Sequence, residues 1–560
     1  MVGVMGRGER RSVRLAPARV LNAAEAQIGT RRGAIAVVVS ALAVYGLESS
    51  ALPVIPGRDF GTYLRFYVQM WDWHSAFPMS MLYRTPVAPF VIGGSLDYLG
   101  GWGTQVVMAC LFVGSILAWT RVALAFGRRA ALLTAAALLL YPGYGILFHE
   151  LASDSVTAAA FAGFSLALTR ALLRPAPRRF ALVGLTVAVA ALTRPGNQTL
   201  VLLAAAPLVL ALPWRARLAS AAACAAVLIA LLGGWAVNNG LRYDDYAVAR
   251  GGTAYLPFFR AFTRDHIVAP DNGPTSRRLS RVVARDLLTQ EPYRSYGITL
   301  HSFFARGSDR EFEDLIGLSD RRWGWNSDYG TLRAVGIEAI RAHPGVYARA
   351  VTGTVLDELW HPLYVALPAS SEPRATAQPS GTPTSAGHDD NQTIVVNGRQ
   401  LPRPSEGELI PSAHQGFYST TPDGHIREVW TSPTAHTVVF SNPNDQRRFG
   451  EVDATAAHLA EKVSTYPGNA WLTLQLSRSS TLFPPPLAWL AVGLLGLVIR
   501  RPRRALLAVL PALAAILVTT LNALTIYPII EFAVPLMPAL ILCGAAGVVG
   551  VRANPNPSSS

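Results

Sequence analysis

Charged residues and nucleotide-binding motifs are both scarce in this sequence. Asp, Glu, Lys and Arg make up only 15% of the 560 residues, whereas 51% are hydrophobic. A soluble globular domain carries about 25% charged residues, so the composition argues against a soluble protein and indicates a polytopic membrane protein. The sequence also lacks a Walker loop, a Rossmann glycine pattern, a zinc-ligand spacing and a nucleophile elbow. A nucleotide-binding site is therefore not expected.

Lysine is nearly absent: Lys462 is the single lysine, so arginine supplies almost all the positive charge in a net charge of +14. The arginines gather in short loops between apolar runs. They are interpreted as topology signals, and no nucleic-acid partner is expected. The three cysteines all lie in apolar runs and fit neither a metal site nor a disulfide framework. The first apolar run has no convincing cleavage site after it, so it is predicted to be a retained span.

Ten apolar stretches approach the roughly 20 residues that cross a bilayer. They are 33–52, 104–124, 129–147, 153–172, 180–193, 197–213, 218–236, 484–499, 504–525 and 532–550. The stretch 85–99 is shorter and holds Pro86, Pro89 and Asp97. If it does not cross, the arginine-rich loops all lie in the cytoplasm. We therefore predict an all-α polytopic protein of about ten spans with both ends inside and 85–99 as a re-entrant or surface-lying helix.

This topology divides the chain into six segments. The predicted order is a cytoplasmic segment 1–32, a membrane module 33–236 with an outside loop 53–103, an extracytoplasmic helical segment 237–365, a linker and small insert 366–483, C-terminal spans 484–551 and a disordered tail 552–560. Helical periodicity occurs in 278–289 and 331–359, and 451–463 resembles a surface helix. TIVVNGRQL and HTVVFSNPND indicate short strands with turns. The extracytoplasmic part is thus predicted to be mixed α/β.

The polar clusters all lie on the predicted outside face. Asp59 follows the first span and precedes an aromatic stretch that begins with Tyr63. A carboxylate there can act as a general base or a metal ligand, or it can simply cap a helix. His149, Glu150 and Asp154 crowd the turn between two later spans. They suit Mg²⁺ or Mn²⁺, although a solvated helix start would look the same.

Three further polar positions fall at span ends on that face. Arg194, in Thr-Arg-Pro-Gly-Asn, runs against the positive-inside bias; its planar fork suits a phosphate, or it snorkels as an anchor. Asn239 lies in WAVNNGLRY, where amides and arginines suit a sugar or lipid phosphate, or cap the helix end. Glu531 stands at the outer end of the last hairpin and faces either a site or water.

Taken in order, these motifs resemble the GT-C superfamily of membrane glycosyltransferases that use polyprenyl-phosphate sugars. The nearest groups in pattern are the dolichyl-phosphate-mannose protein mannosyltransferases and the bacterial aminoarabinose lipid A transferases. The segments that carry the resemblance are GRDFGTYL with Asp59, YRTPVAPF from Tyr83, Glu150 with Asp154, Thr193-Arg194-Pro195, Trp235 with Asn239, and His343-Pro344-Gly345 before Trp360. Where the family often has Arg-Tyr, this chain has Glu531-Phe532. Residues 366–480 have no counterpart in the family pattern.

The resemblance implies an inverting transfer of a sugar from a polyprenyl-phosphate donor to an extracytoplasmic acceptor, which is a protein, a lipid or a cell-wall glycan. Asp59 would be the base, and Arg194, with Arg84 as a second candidate, would contact the donor phosphate. A Mg²⁺ or Mn²⁺ ion held by Glu150, Asp154 and His149 would stabilise the leaving group. Tyr63, Asn239 and Glu531 are assigned to substrate binding.

Two other functions fit a polytopic chain. A transporter or flippase of lipid-linked sugars would place ionisable groups near the bilayer midplane and often shows repeats, and neither feature is evident here. A non-catalytic membrane scaffold would display the insert 366–480 outside the cell. Wide separation of Asp59, Glu150 and Asp154 in the fold would favour the scaffold.

Overall fold

The structure is a computed structural model. It describes residues 22–57, 59–71, 84–249, 256–324, 329–363, 393–404, 408–410, 426–430, 436–464, 470–500, 505–525 and 532–549. Most of these residues are helical. The predicted linker 366–390, Glu531 and the C-terminal tail lie outside the described residues.

The described residues of the first half form nine α-helices and two very short strands. They are α1 (Arg31–Ser49), β1 (Ile55–Pro56), α2 (Phe60–Met70), α3 (Val87–Ala123), α4 (Arg128–Leu139), α5 (Pro142–Ile146), β2 (Glu150–Leu151), α6 (Ser153–Leu173), α7 (Pro177–Thr193), α8 (Trp214–Leu228) and α9 (Gly234–Tyr243). A 3₁₀ helix covers Pro195–Val209, and a π-helical turn joins α8 to α9.

In the second half, the residues that the structure describes form eleven α-helices and two hairpins. They are α10 (Leu256–Thr263), α11 (Pro274–Asp286), α12 (Leu300–Ala305), α13 (Asp309–Trp323), α14 (Gly330–Ala342), α15 (Pro344–Trp360), β3 (Thr393–Val396), β4 (Arg399–Pro402), β5 (Ile426–Trp430), β6 (His436–Phe440), α16 (Pro443–Ser464), α17 (Ala470–Leu482), α18 (Pro486–Arg500), α19 (Ala505–Thr525) and α20 (Met537–Val549).

Five helices among the described residues are long and apolar enough to cross a membrane, and the number rises to seven if each of two bent helix pairs is one span. They include α1, α6 and the continuous stretch from Trp214 to Tyr243. Each of the ten predicted stretches coincides with helical structure, but ten separate crossings stay a prediction. The predicted helix 85–99 is the first part of α3, which breaks at Gly100 with a φ of 65° and a ψ of −171°.

The strands pair only in twos. β1 and β2 are parallel, whereas β3–β4 and β5–β6 are antiparallel hairpins. The predicted Asn-Gly turn joins β3 to β4, with positive φ at Asn397 and Gly398 as a tight two-residue hairpin requires. The predicted surface helix is α16, which begins at Pro443 rather than at residue 451.

Two hydrophobic cores organise the described chain. The larger one joins the long apolar helices and also takes in one face of α16, through Phe449, Val452 and Leu459. The smaller core is built from residues of 258–339, chiefly in α10, α11, α13 and α14, together with Ile410. Five of the residues predicted to be functional gather where β1, α2, the start of α6 and the end of α7 meet the larger core, namely Asp59, Tyr63, Arg84, Asp154 and Arg194.

Candidate active site

The parallel pairing of β1 with β2 brings the first loop to the turn before α6. Ile55 lies opposite Glu150 and Pro56 opposite Leu151. At Gly57 a Cβ atom would lie only 3.0 Å from Ala152 Cβ and 3.2 Å from Glu150 Cβ. A glycine therefore permits the approach, because any side chain would force the two segments apart. Two clusters that are far apart in sequence thus become neighbours.

Asp59 occupies the position before α2, but its side chain makes no capping hydrogen bond. Its backbone is left-handed, with a φ of 60°, a conformation that Asp tolerates better than most residues. The carboxylate instead accepts a hydrogen bond from the Arg84 guanidinium, with Nη2 and Oδ2 2.7 Å apart. The capping alternative for Asp59 is therefore not what the fold shows. About a third of each side chain stays exposed, so both charges are open to an incoming group.

Tyr63 connects the Asp59 pair to the turn before α6. Its hydroxyl donates to Ser153 Oγ at 2.8 Å, and the Arg84 guanidinium carbon lies 5.4 Å from the centre of its ring. Burial raises the pKa of the Tyr63 phenol, while the positive charge of Arg84 opposes that shift. The phenol is therefore a neutral hydrogen-bond donor, which places an O–H group between the two ion pairs of the site.

Asp154 and Arg194 form the second ion pair. Arg194 Nη1 lies 2.5 Å from Asp154 Oδ1, and the side chains are only 13% and 10% exposed, respectively. The ring of Phe532, which follows the predicted residue Glu531, lies 3.5 Å below the guanidinium carbon. Stacking on an aromatic face and pairing with a carboxylate both orient a guanidinium. The Asp154 bond uses Nη1, and a planar guanidinium can bind a second acceptor through its other N–H groups.

The predicted metal ligands are not gathered around one point. His149 is buried, stacks on Tyr45 with ring centres 4.4 Å apart, and places Nε2 3.6 Å from Glu48 Oε2. Asp154 is bound to Arg194 instead. In the part of the chain that the structure describes, no three His, Cys, Asp or Glu side chains are grouped so that they could hold a metal ion.

Asn239 lies apart from the two ion pairs. It is fully buried, and its Nδ2 donates to the Ala247 carbonyl at 2.9 Å. Its Oδ1 has no hydrogen-bond partner among the described residues. The neighbouring Trp235 stacks on Phe66 of α2, with ring centres 6.2 Å apart. Helix α9 therefore packs against α2, the helix that follows Asp59, so Asn239 is linked to the site through α2.

Sequence reasoning missed a buried ionisable group near Arg194. Glu358 of α15 is 5% exposed. Burial raises its pKa to about 7, with Asp357 adding to the shift and the charges of Arg194 and Arg260 opposing it. Arg260 is itself buried, bonds to Thr354 Oγ1 at 3.1 Å and pairs with Asp265 at 3.1 Å. Helical periodicity does not reveal a buried carboxylate. The one sequence feature that drew attention to α15 was the His-Pro-Gly segment at its start.

Comparison with known families supports the sequence reading. Residues 83–235 match the family model described as dolichyl-phosphate-mannose-protein mannosyltransferase. That range contains Arg84, Glu150, Asp154 and Arg194, whereas Asp59 precedes it. The predicted resemblance to the GT-C superfamily of membrane glycosyltransferases is confirmed, and the family model carries it over this part of the chain.

Two solved structures are similar to the chain over part of its length. Both are ArnT from Cupriavidus metallidurans, one bound to undecaprenyl phosphate and the other in the apo state. The first is 18% identical and covers 59% of this chain and 64% of ArnT with a TM-score of 0.34. The second is 18% identical and covers 58% and 62% with a TM-score of 0.31. The match therefore spans less than two thirds of ArnT. No curated protein matches the chain.

Proposed function

We propose that this protein is an integral membrane glycosyltransferase that transfers a sugar from a polyprenyl-phosphate donor to an extracytoplasmic acceptor. The observation that carries the proposal is the convergence of four separate segments. Arg84 contacts both Asp59 and Tyr63, Tyr63 bonds to Ser153, and Ser153 directly precedes Asp154, which pairs with Arg194. Charged groups near a bilayer are costly unless they are used, and here two arginines and two carboxylates share one site.

In the proposed reaction Asp59 acts as the general base. An acceptor hydroxyl attacks the anomeric carbon of the donor sugar while the bond from that carbon to the phosphate oxygen breaks. The hydroxyl proton passes to the Asp59 carboxylate, whose Oδ2 already accepts from Arg84, so Oδ1 is assigned the proton. Attack opposite the leaving group inverts the anomeric centre. The departing lipid phosphate gains negative charge, which positioned arginines stabilise in the transition state.

Arg194 and Arg84 are the proposed phosphate ligands. Arg194 is oriented by its ion pair with Asp154 and by the Phe532 ring, so little side-chain entropy remains to be lost on binding. Arg84 connects the phosphate region to the base, because it already contacts Asp59. Tyr63, Asn239 and Glu531 stay candidates for sugar or acceptor binding, and Glu531 lies outside the described residues.

The predicted Mg²⁺ or Mn²⁺ ion does not fit the side chains as they are arranged. Asp154 is bound to Arg194 and His149 lies against Glu48, so we derive no step through a metal. Dependence on a divalent ion stays a prediction that activity in excess EDTA would test.

We also propose the ten-span topology, with both chain ends in the cytoplasm and the site on the extracytoplasmic face. This placement suits the donor, because nucleotide sugars are not available there.

The first experiment compares Asp59→Asn with the wild-type protein in liposomes. The donors are mannosyl- and arabinosyl-phosphodecaprenol, and the acceptor is a membrane extract of the producing cell. We expect at least a hundredfold loss of transfer with normal folding, since the amide cannot take the proton. Asp286→Asn is the matched control, because Asp286 also pairs with an arginine at 2.6 Å but lies at the end of α11, outside the proposed site. Full activity in Asp59→Asn contradicts the proposed base.

The alternatives are separated by the same experiment. A flippase would move the lipid-linked sugar across the liposome membrane without transferring it. The sugar would then stay on its lipid with the wild-type protein as well as with Asp59→Asn. A scaffold would show neither transfer nor movement. The structure disfavours the scaffold, because β1–β2 pairing and the Tyr63–Ser153 hydrogen bond bring the Asp59 loop next to Glu150 and Asp154.

A further inference from the structure

The insert that has no counterpart in the family pattern packs directly on the membrane module. Helix α16 buries Phe449, Val452, Ala456 and Leu459 in the larger hydrophobic core. These positions follow the three- and four-residue spacing of one helical face. Leu459 also contacts α3 closely, because a Cβ atom on Gly101 would lie 3.0 Å from Leu459 Cδ2. The insert helix is therefore a fixed part of the module.

A polar junction aligns α16 with the end of α2. Arg448 binds the Asp97 carboxylate through Nε at 2.9 Å and Nη2 at 2.6 Å. Its Nη2 also donates to the Tyr67 hydroxyl at 3.0 Å, and that hydroxyl donates to Asp97 at 2.6 Å. The guanidinium lies 5.8 Å from the centre of the Trp71 ring. A guanidinium bound by a carboxylate and aromatic faces has a well-defined position, so this junction forms a rigid wall.

A cavity of about 520 Å³ opens beside this junction, within the usual size of small-ligand sites. We call it the α16 cavity. Its lining includes Trp71 and Asp97 on the membrane module and Asn442, Asn444, Arg447 and Glu451 on the insert. Neither unit forms the cavity alone. The Trp71 ring is 45% exposed, although a large aromatic side chain usually buries more of its surface.

The chemistry of the lining narrows the ligand. The carboxylates of Asp97, Asp445 and Glu451 outnumber the guanidinium groups of Arg447 and Arg448, so the cavity does not favour an anion. The polar lining does not suit a lipid chain. Amide, carboxylate and guanidinium groups supply both acceptors and donors, and an exposed indole offers an apolar face. Groups of this kind suit a neutral, hydroxyl-rich ligand, whose C–H face stacks on the ring while its hydroxyls meet the polar side chains.

We propose that the α16 cavity binds the glycan part of the acceptor. This inference rests on the proposed transferase function. Trp71 ends the helix that begins after Asp59, and twelve residues at 1.5 Å rise separate them by about 18 Å. A glycan held at Trp71 must therefore extend over several sugar units to present its terminal hydroxyl to Asp59. The insert selects a long glycan, rather than a single sugar, as the acceptor.

The test measures glycan binding by the full-length, detergent-solubilised protein on a printed array of bacterial cell-wall and mannose- or arabinose-containing oligosaccharides. We expect binding that strengthens with glycan length and weakens at least tenfold in Trp71→Ala and in Asn444→Ala. Asn444 is exposed at the start of α16, so we expect Asn444→Ala to fold normally. It therefore keeps the test valid if Trp71→Ala does not fold. Trp102→Ala is the matched control, because Trp102 is 76% exposed and lies outside the cavity.

The outcomes separate this inference from the proposed reaction. Asp59→Asn retains glycan binding while it loses transfer if both proposals are right. Glycan binding with normal transfer by Asp59→Asn overturns the assigned base alone. The cavity proposal is wrong if the array shows no binding, or if Trp102→Ala weakens binding as much as Asn444→Ala. It is also wrong if Asn444→Ala instead loses binding to phosphatidylglycerol vesicles, which would place a lipid headgroup in the cavity.

Discussion

Replacing Asp154 by Asn tests whether Arg194 is held for a phosphate. The pair is 2.5 Å apart and its side chains are 10% and 13% exposed. Removing one partner of a buried ion pair costs about 3 to 5 kcal/mol, since the other charge loses its counter-charge in a poorly solvated place. We expect a cost of about 3 kcal/mol, at the lower end of that range, because Asn keeps an oxygen acceptor and some water reaches the site.

Undecaprenyl phosphate should restore the lost stability. A lipid phosphate brings a negative charge back to Arg194, so the lipid should stabilise Asp154→Asn more than the wild-type protein. A ligand at a hundred times its dissociation constant contributes about 2.7 kcal/mol, enough to offset most of the loss. Arg194→Gln should gain little from the lipid. The assay is thermal unfolding of the detergent-solubilised protein with and without the lipid.

The double variant supplies the control. Asp154→Asn with Arg194→Gln should cost less than the sum of the two single changes, because each single change leaves the other group without its partner. Two results would refute the reasoning. One is an Asp154→Asn protein as stable as the wild type. The other is equal stabilisation of both single variants by the lipid, which would place the phosphate elsewhere in the protein.

Three more expectations concern pH and packing. Burial holds the Glu358 pKa at about 7, above its usual 4.5, so its contribution to stability is complete below pH 4.5 and is lost as the pH rises through 7; Glu358→Gln should flatten the melting temperature between pH 5 and 8, and an unchanged slope contradicts this. Arg448→Met should speed hydrogen exchange in α16 by several-fold, and unchanged exchange would show that the apolar face suffices. Gly93→Ala should cost about 1 to 3 kcal/mol of unfolding free energy, because its Cβ would lie 2.3 Å from Tyr67 Cγ, whereas the Gly94 control has 3.9 Å to Tyr67 Cε2.

Much of the helical framework follows from local patterns. Each predicted apolar stretch is helical because runs of Leu, Ala and Val near bilayer length have few other ways to satisfy their backbone hydrogen bonds in lipid. Helical periodicity likewise identified α11 and the helices α14 and α15. The start of α16 was predicted too late, since residues 444–448 are polar and the apolar face of the helix begins only at Phe449, which packs on the module.

The candidate site was found from the sequence, but its pairings were not. Asp59, Asp154 and Arg194 drew notice because charges at span ends are costly. That Arg84 pairs with Asp59, that Asp154 pairs with Arg194, and that His149 lies against Glu48 depend on contacts across 25, 40 and 101 residues of chain. The predicted three-residue metal group therefore gave way to two ion pairs, because an arginine within reach of a carboxylate competes with a cation for it.

Composition and motif order alone determined that this is a helical membrane protein with glycosyltransferase-like polar clusters. Those properties are local, since each depends on the hydrophobicity of a single run or on the residues around one turn. Tertiary structure alone decided that Tyr63 connects the two ion pairs, that Glu358 lies buried near Arg194, and that the insert joins α2 and α3 around a cavity. Such contacts join segments far apart in the chain, and they are set by how the helices pack rather than by any one segment's sequence.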